Sequence, residues 1–322
     1  MILDDLVAVA RDKQRFLSLN DYIEFAIRYL DFAGEGLQAV IISQNETHYQ
    51  FYQYKAEGYF NITRPLNARL MYTAEDSAKL ATDFFEILQN VKAIPENDSE
   101  RRAIIIRSIY TIQQSIGAAL DALPAGASNT ARKINGDLFE RLIQLLLRTV
   151  GVECQTGTVQ VPVKVDGEIV FHMNYQHDLL LMDKNELKAI GSVKTSSKDR
   201  IDKIFLDKFL YSKLTDTALP HIAIFLNDVQ RKQTRQENQY AIGSTFLPGR
   251  FKGFTVKLNP LDGVYYCDIR PNMRTEPILR DHIQTIDNFF CADIWRLIGQ
   301  RGAEISTEVT IDTSGKELSD DT

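Results

Sequence analysis

The stretch from His177 to Arg200, HDLLLMDKNELKAIGSVKTSSKDR, constrains the fold of this chain more than any other. Asp178 opens an apolar run, Leu179-Leu180-Leu181-Met182, and the polar turn Asp183-Lys184-Asn185-Glu186 separates it from a second run ending in Ser192-Val193-Lys194. Two short apolar runs about a tight polar turn predict a β-hairpin. Side chains alternate along a strand, so Ser192 and Lys194 face one side of it and Val193 the other. Asp178 and Lys194 then sit near the same end of neighbouring strands. A carboxylate, a hydroxyl and an ammonium converge there, which suits metal-assisted phosphodiester hydrolysis. The carboxylate holds a divalent cation, the lysine orients or deprotonates a water, and the metal offsets charge building on the phosphate. The residues alone leave a second reading open, with Asp178 an ordinary turn residue and Lys194 a solvated strand-end lysine.

The neighbouring segments predict an α/β fold, a mixed β-sheet flanked by helices, behind a mainly helical N-terminal region. Asn129 or Asn135 starts a helix carrying Glu140, and Gly151 ends it. VECQTGTVQVPVKV and EIVFHMNYQHDLLLM read as strands, the second leading into Asp178. Residues Asp199 to Lys213 read as an amphipathic helix with Ile201, Ile204, Phe205, Phe209 and Leu210 on its core face. HIAIFLND, a continuous apolar run ending in polar residues, reads as a buried strand. Helices on both faces of a mixed sheet follow from this order. Upstream, Asn20 caps DYIEFAIRYLDFAGEG and Gly34 terminates it; LQAVIIS and HYQFYQYK pair around Gln44-Asn45-Glu46-Thr47; two long helices follow, near 74–91 and 99–123. PAGASN, residues 124–129, marks a boundary. The expected parts are a helical region over 1–125 serving dimerisation or DNA clamping, a core over 126–305, and a frayed acidic tail over 306–322.

The Asp178…Ser192-Val193-Lys194 pattern resembles the PD-(D/E)xK nuclease superfamily, and within it the type II restriction endonucleases. The resemblance covers roughly residues 130–240. It departs from the family at His177, where a proline is usual, and at Ser192, where an acid is usual. Ser-x-Lys is similar to the group recognising CCGG-containing sites, in which a later helix supplies the missing carboxylate; Asp207 stands in that place, and Glu140 where the family carries a glutamate on the helix before the hairpin. The resemblance implies catalytic roles for Asp178, Lys194, Ser192, Glu140 and Asp207. It also implies a Mg²⁺ cofactor held by Asp178, Glu140 and the Val193 carbonyl, since Mg²⁺ takes oxygen ligands and keeps several waters. For Glu140 an exposed ion pair with Arg141 stays open, and for Asp207 an i,i+4 pair with Lys203.

Thr195 to Arg200, TSSKDR, resembles the segment with which that group reads its site, one residue tighter than the family pattern and with Lys where Arg is commoner. Arg or Lys donates to guanine O6 and N7, and Asp accepts from cytosine N4, so Lys198, Asp199 and Arg200 have the right chemistry. Capping by Ser197 with Asp199 in the first helical turn explains part of the segment equally well. Arg231, beyond the Asn227-Asp228 strand end, is a weaker DNA-binding candidate.

Net charge is −6, which argues against indiscriminate coating of nucleic acid. Locally the sign reverses: residues 186–236 hold ten basic side chains against six acidic ones, so a DNA-facing patch is feasible. Three scattered cysteines suit neither a zinc cluster nor a disulfide framework. The N-terminal segment carries acids where an export signal needs bases, so a reducing cytoplasm is expected, with no membrane partner. The five histidines form no metalloprotease motif, and phosphate-loop and nucleophile-elbow patterns are missing. The expected activity is site-specific, Mg²⁺-dependent hydrolysis of double-stranded DNA by a homodimer, with a cognate DNA methyltransferase implied genetically. A repair or junction nuclease of the same fold, or a non-catalytic DNA-binding protein, stands as the alternative.

Overall fold

The computed structural model describes residues 3–56, 59–184, 186–236, 238–299 and 310–312. Two helices open the chain, α1 (Leu3–Arg11) and α2 (Leu19–Glu35). Ser18, not Asn20, caps α2: its hydroxyl accepts from the Asp21 amide while the Asp21 carboxylate accepts from the Ser18 amide. That reciprocal pair satisfies two otherwise orphan amides. Gly34 lies inside the helix, and Gly36 ends it. The expected hairpin is present as β1 (Ala39–Ile42) and β2 (Tyr49–Ala56), extended by β3 (Tyr59–Ile62) and β4 (Leu66–Asn67). The long helix expected near 74–91 is broken into α3 (Ser77–Ala81) and α4 (Asp83–Gln89). Thr82 sits at the break, its hydroxyl donating back to the Ala78 carbonyl, a local bond that competes with helix continuation. α5 (Ser99–Leu120), capped by Asp98, is nearly all buried beyond Ile105.

α6 (Ser128–Thr149) begins before either expected cap, and Gly151, at φ +82, takes the chain out of it. β5 (Cys154–Val165) and β6 (Glu168–Asp183) form a long antiparallel hairpin. Its tip, Asp166-Gly167, has φ of 53 and 86, the left-handed pair that a two-residue hairpin turn requires. β7 (Glu186–Lys194), α7 (Ile201–Thr215), β8 (His221–Asn227), β9 (Val229–Gln233), β10 (Tyr240–Ser244), α8 (Pro248–Lys257) and β11 (Gly263–Asp268) follow. Short α9 (Pro271–Thr275), α10 (Pro277–His282), β12 (Ile283–Thr285), α11 (Ile286–Asn288) and α12 (Ile294–Gly299) lead to β13 (Thr310–Asp312).

The main sheet has seven strands in the order β12-β11-β8-β7-β6-β5-β13. β7, β8, β11 and β12 run parallel, while along β13, β5, β6 and β7 each strand is antiparallel to its neighbour. This is the mixed sheet the sequence predicts. All seven residues of β8 are buried, as its unbroken apolar run requires. The tail expected to be frayed contributes β13 to the sheet edge; residues 300–309 and 313–322 lie outside the described residues.

Helices cover both faces. On one, α2, α5 and α6 share an apolar cluster with Leu179, Leu181, Ala189 and Val193 of the sheet and with Ile294 and Leu297 of α12. On the other, Ile201, Ile204 and Phe205 of α7 pack with Phe251 of α8 and with Ala223, Phe225 and Tyr266. The first cluster runs unbroken from Leu6 to Leu297 across the 124–129 segment, which is occupied by a single 3₁₀ turn and the start of α6. Among the described residues no helix is long and apolar enough to cross a membrane.

Candidate active site

Asp178, Glu140 and Lys194 come from three elements and meet at one point. The Lys194 ammonium lies 2.6 Å from Asp178 Oδ2 and 2.7 Å from Glu140 Oε1. The hairpin ladder explains the first contact, since Leu179 pairs with Gly191 and Lys194 lies three residues beyond that pair on β7. A slip in the β5–β6 ladder between Gln155/Leu180 and Gly157/His177 sets Asp178 and Leu179 against the single residue Thr156. Such a bulge re-aims side chains, and it falls at Asp178 itself. Asp178 Oδ2 also accepts from the Val193 amide at 3.0 Å, and Gln144 Nε2 holds the Asp178 carbonyl at 3.1 Å. Glu140 is buried on the inward side of α6 among Leu138, Phe139 and Leu142. Its neighbour Arg141 turns away and donates to the carbonyls of Lys13 and Phe16, so the two do not form a surface pair.

Burial works against the charge of Lys194, but the Asp178 and Glu140 carboxylates outweigh it and hold the ammonium above its ordinary range. A lysine so held is a donor and an orienting cation. His177, in the place usual for proline, is buried between Tyr175 and His221, and burial lowers it to about 3. His221 is lowered to about 4 in the same way. Both are neutral packing residues at ordinary pH.

Ser192 is half-buried on β7, and its hydroxyl bonds to no other described side chain. Val193 is fully packed in the core. Asp207 is not drawn into the constellation; its carboxylate lies 2.5 Å from Lys203 Nζ, the i,i+4 pair that local spacing allows. Among the described residues no three His, Cys, Asp or Glu side chains gather as a metal-ligand set. What the site offers is two carboxylates already converging on one cation, the Lys194 ammonium. Those oxygens fit a hard divalent ion that keeps much of its water shell.

A cleft of about 970 Å³ begins at Thr195, the residue after Lys194; Glu140, Asp178 and Lys194 themselves do not line it. Its lining includes Thr195, Lys198, Asp199 and Arg200 of the segment after β7, Gln230 and Arg231 of β9, and Arg132 of α6. α7 starts at Ile201, two residues later than periodicity suggests, so residues 195–200 form a loop with Asp199 at φ +56. Ser197 does not cap α7 with its side chain. It is buried, and its hydroxyl donates to Asp228 at 2.5 Å. Lys198 and Arg200 are exposed, and Arg200 makes no ion pair among the described residues. The Arg231 guanidinium donates to the Ile62 and Thr63 carbonyls and lies over the Tyr240 ring. Three of the ten basic side chains in 186–236 are paired within the chain, Lys188 with Glu186, Lys203 with Asp207 and Lys208 with Asp262. The sequence does not reveal the roles of Gln144 and Asp228, because their partners lie far away along the chain, nor that Arg132 of α6 comes to line the cleft.

Neither protein-family models nor curated proteins give a match to this chain. Solved structures do. The type IIP restriction endonuclease Kpn2I superposes with a TM-score of 0.67 over 94% of this chain and 99% of its own, at 15% identity. The chain has the restriction-endonuclease fold. The restriction endonuclease PspGI, solved as a complex with substrate DNA, matches with a TM-score of 0.43 over 70% of this chain and 92% of its own, at 12% identity. The expected fold class is therefore present, and the Asp178/Lys194 hairpin lies in the sheet of a restriction-endonuclease fold.

Proposed function

We propose that the protein is a Mg²⁺-dependent type II restriction endonuclease that hydrolyses double-stranded DNA at a short specific sequence. One observation carries the reading: Glu140, Asp178 and Lys194 converge, with Lys194 within 2.7 Å of both carboxylates, and the residue after Lys194, Thr195, opens the lining of a wide cleft. When bound, Mg²⁺ would be held by Asp178, Glu140 and the Val193 carbonyl, and would offset phosphate charge and ease deprotonation of water. Lys194, cationic because its two carboxylates keep it so, orients the attacking water and donates to a phosphate oxygen. Asp178 keeps its place through the Val193 amide, and Glu140 through the packing of α6. Ser192 takes the position usual for an acid, with its hydroxyl available to a water of the ion's shell. Lys198, Asp199 and Arg200 read base edges from the loop, and Arg231, also in the cleft lining, braces the Ile62-Thr63 backbone. A short palindromic target would call for a homodimer whose two-fold axis matches the DNA. A partner DNA methyltransferase and a cytoplasmic location accompany the reading.

Incubation with mixed plasmid DNA and Mg²⁺ tests it: discrete fragments are expected. A smear or nicking would point instead to a repair or junction nuclease. Absence of cleavage would leave the non-catalytic DNA-binding alternative, for which Ser192 in place of an acid is the supporting feature. Asp178→Asn and Lys194→Ala should each abolish cleavage while keeping most DNA binding, since neither removes the cleft's phosphate-contacting surface. Normal turnover by either variant would overturn the site assignment.

A further inference from the structure

Asp228, the residue after β8, is completely buried, yet among the described residues no cation is a hydrogen-bond partner of its carboxylate. Its Oδ1 accepts from Ser196 Oγ at 2.9 Å, the Ser197 amide at 2.9 Å and Thr245 Oγ1 at 2.8 Å. Its Oδ2 accepts from Ser197 Oγ at 2.5 Å and Tyr266 OH at 2.7 Å. The Asp228 carbonyl takes the Thr245 amide at 3.0 Å as well. A buried carboxylate is tolerated only when its lone pairs are satisfied, and here every donor is neutral. Three of the five side-chain bonds come from Ser196 and Ser197, the second and third residues after Lys194. The chain of contacts continues outward: Ser196 Oγ accepts from the Lys198 amide at 3.2 Å, and the Ser197 carbonyl from the Arg200 amide at 3.0 Å.

We propose that Asp228 is a positioning residue for sequence discrimination, clamping the 195–200 loop to the carboxyl ends of β8 and β11. This rests on the reading above of Lys198, Asp199 and Arg200 as base-reading groups. Bidentate recognition demands that donors be held within a fraction of an ångström by residues behind them. The loop supplies little of that rigidity itself, because Lys198 and Asp199 are exposed and α7 has not yet begun. The Ser196-Ser197-Asp228 junction supplies it from below, and it does so next to Lys194, so recognition and chemistry share one support.

The clamp is tested first on the free protein, by hydrogen–deuterium exchange in wild type, Asp228→Ala and Tyr266→Phe. The amides of 195–200 should lose their protection in Asp228→Ala and keep it in Tyr266→Phe, which removes a donor only from the core side. Unchanged protection in Asp228→Ala would overturn the clamp, whatever the protein does to DNA. Cleavage is then compared on duplexes carrying a site mapped with the wild type and on duplexes altered at one base pair. The ratio of cognate to altered rates should fall about tenfold in Asp228→Ala, as for a lost bidentate contact, and should hold in Tyr266→Phe. Equal losses on both duplexes, or equal effects of the two substitutions, would reduce Asp228 to a structural residue and overturn the proposal. If Asp228→Ala does not fold, the Ser196→Ala/Ser197→Ala double variant carries the same expectations. Wild-type protein that cuts no DNA would sink the nuclease reading alone, since the exchange result still decides the clamp.

Discussion

At the scale of single residues the site turns on which acids share Lys194. Glu140 and Asp178 both touch its ammonium, whereas Asp207 is paired with Lys203. On the proposed function, in which Glu140 is one of two anionic ligands, Glu140→Gln should raise the Mg²⁺ concentration needed for half-maximal cleavage about tenfold or more. Asp207→Asn should leave that requirement unchanged. A metal titration of both variants checks the contrast, and the reverse order would hand the role of the missing acid to Asp207. The loop residue Arg200 faces the cleft without a counter-ion among the described residues. Arg200→Ala should lower affinity for the cognate duplex by about 1–3 kcal/mol and relax discrimination at one base pair. A phosphate contact would instead weaken cognate and scrambled duplexes alike and flatten the salt dependence by about one unit of slope. Titrations at two salt concentrations separate the two roles.

Between elements, the N-terminal hairpin is fastened to the end of β11 through Asp268. Its carboxylate accepts from Tyr49 OH at 2.8 Å and Asn67 Nδ2 at 2.9 Å, and Arg270 next to it pairs with Glu46 of the β1–β2 turn. Burial pushes the Asp268 carboxyl up to about 6, against the lowering pull of Tyr49, Asn67 and Arg270. A carboxyl raised on folding binds its proton more tightly in the native state than in the unfolded chain. The stability it contributes is thus fully present below the unfolded value of 3.8 and is lost as pH rises through about 6. Relative to Asp268→Asn, the wild type should lose about 2–3 kcal/mol of stability between pH 4 and pH 7. Urea denaturation of both proteins across that range measures it; parallel curves would mean that Asp268 titrates normally. The elements themselves were legible where their pattern was strong: the 177–194 hairpin as two apolar runs about a polar turn, β8 as one unbroken apolar run, and α6 as a helix ended by Gly151. The break at Thr82 and the late start of α7 were not, because a hydroxyl bonded back to Ala78 and a serine drawn to Asp228 override local helix propensity.

For the whole molecule, the unbroken cluster from Leu6 to Leu297 makes the N-terminal helices part of the support beneath the sheet. The single tryptophan, Trp295, reports on this directly, since it lies in α12 with Lys92 of the N-terminal half over its ring. Leu30→Ala, on buried α2, should cost about 2–5 kcal/mol and shift the Trp295 fluorescence and far-ultraviolet circular dichroism transitions together. Two separated transitions would show that the halves fold independently. By itself the sequence determined the mixed sheet, the hairpin that sets Asp178 beside Lys194, and the helix that carries Glu140, because each follows from short-range signals: apolar runs, the polar or glycine residues that end them, and the order of the elements. Tertiary structure alone decided that Glu140, 54 residues before Lys194, joins it while Asp207 does not. It alone decided that Asp228 faces the core and that Arg231 braces the N-terminal hairpin. The reason is that a polar side chain goes wherever its hydrogen bonds can be completed, and those partners are set by packing between segments far apart in the chain.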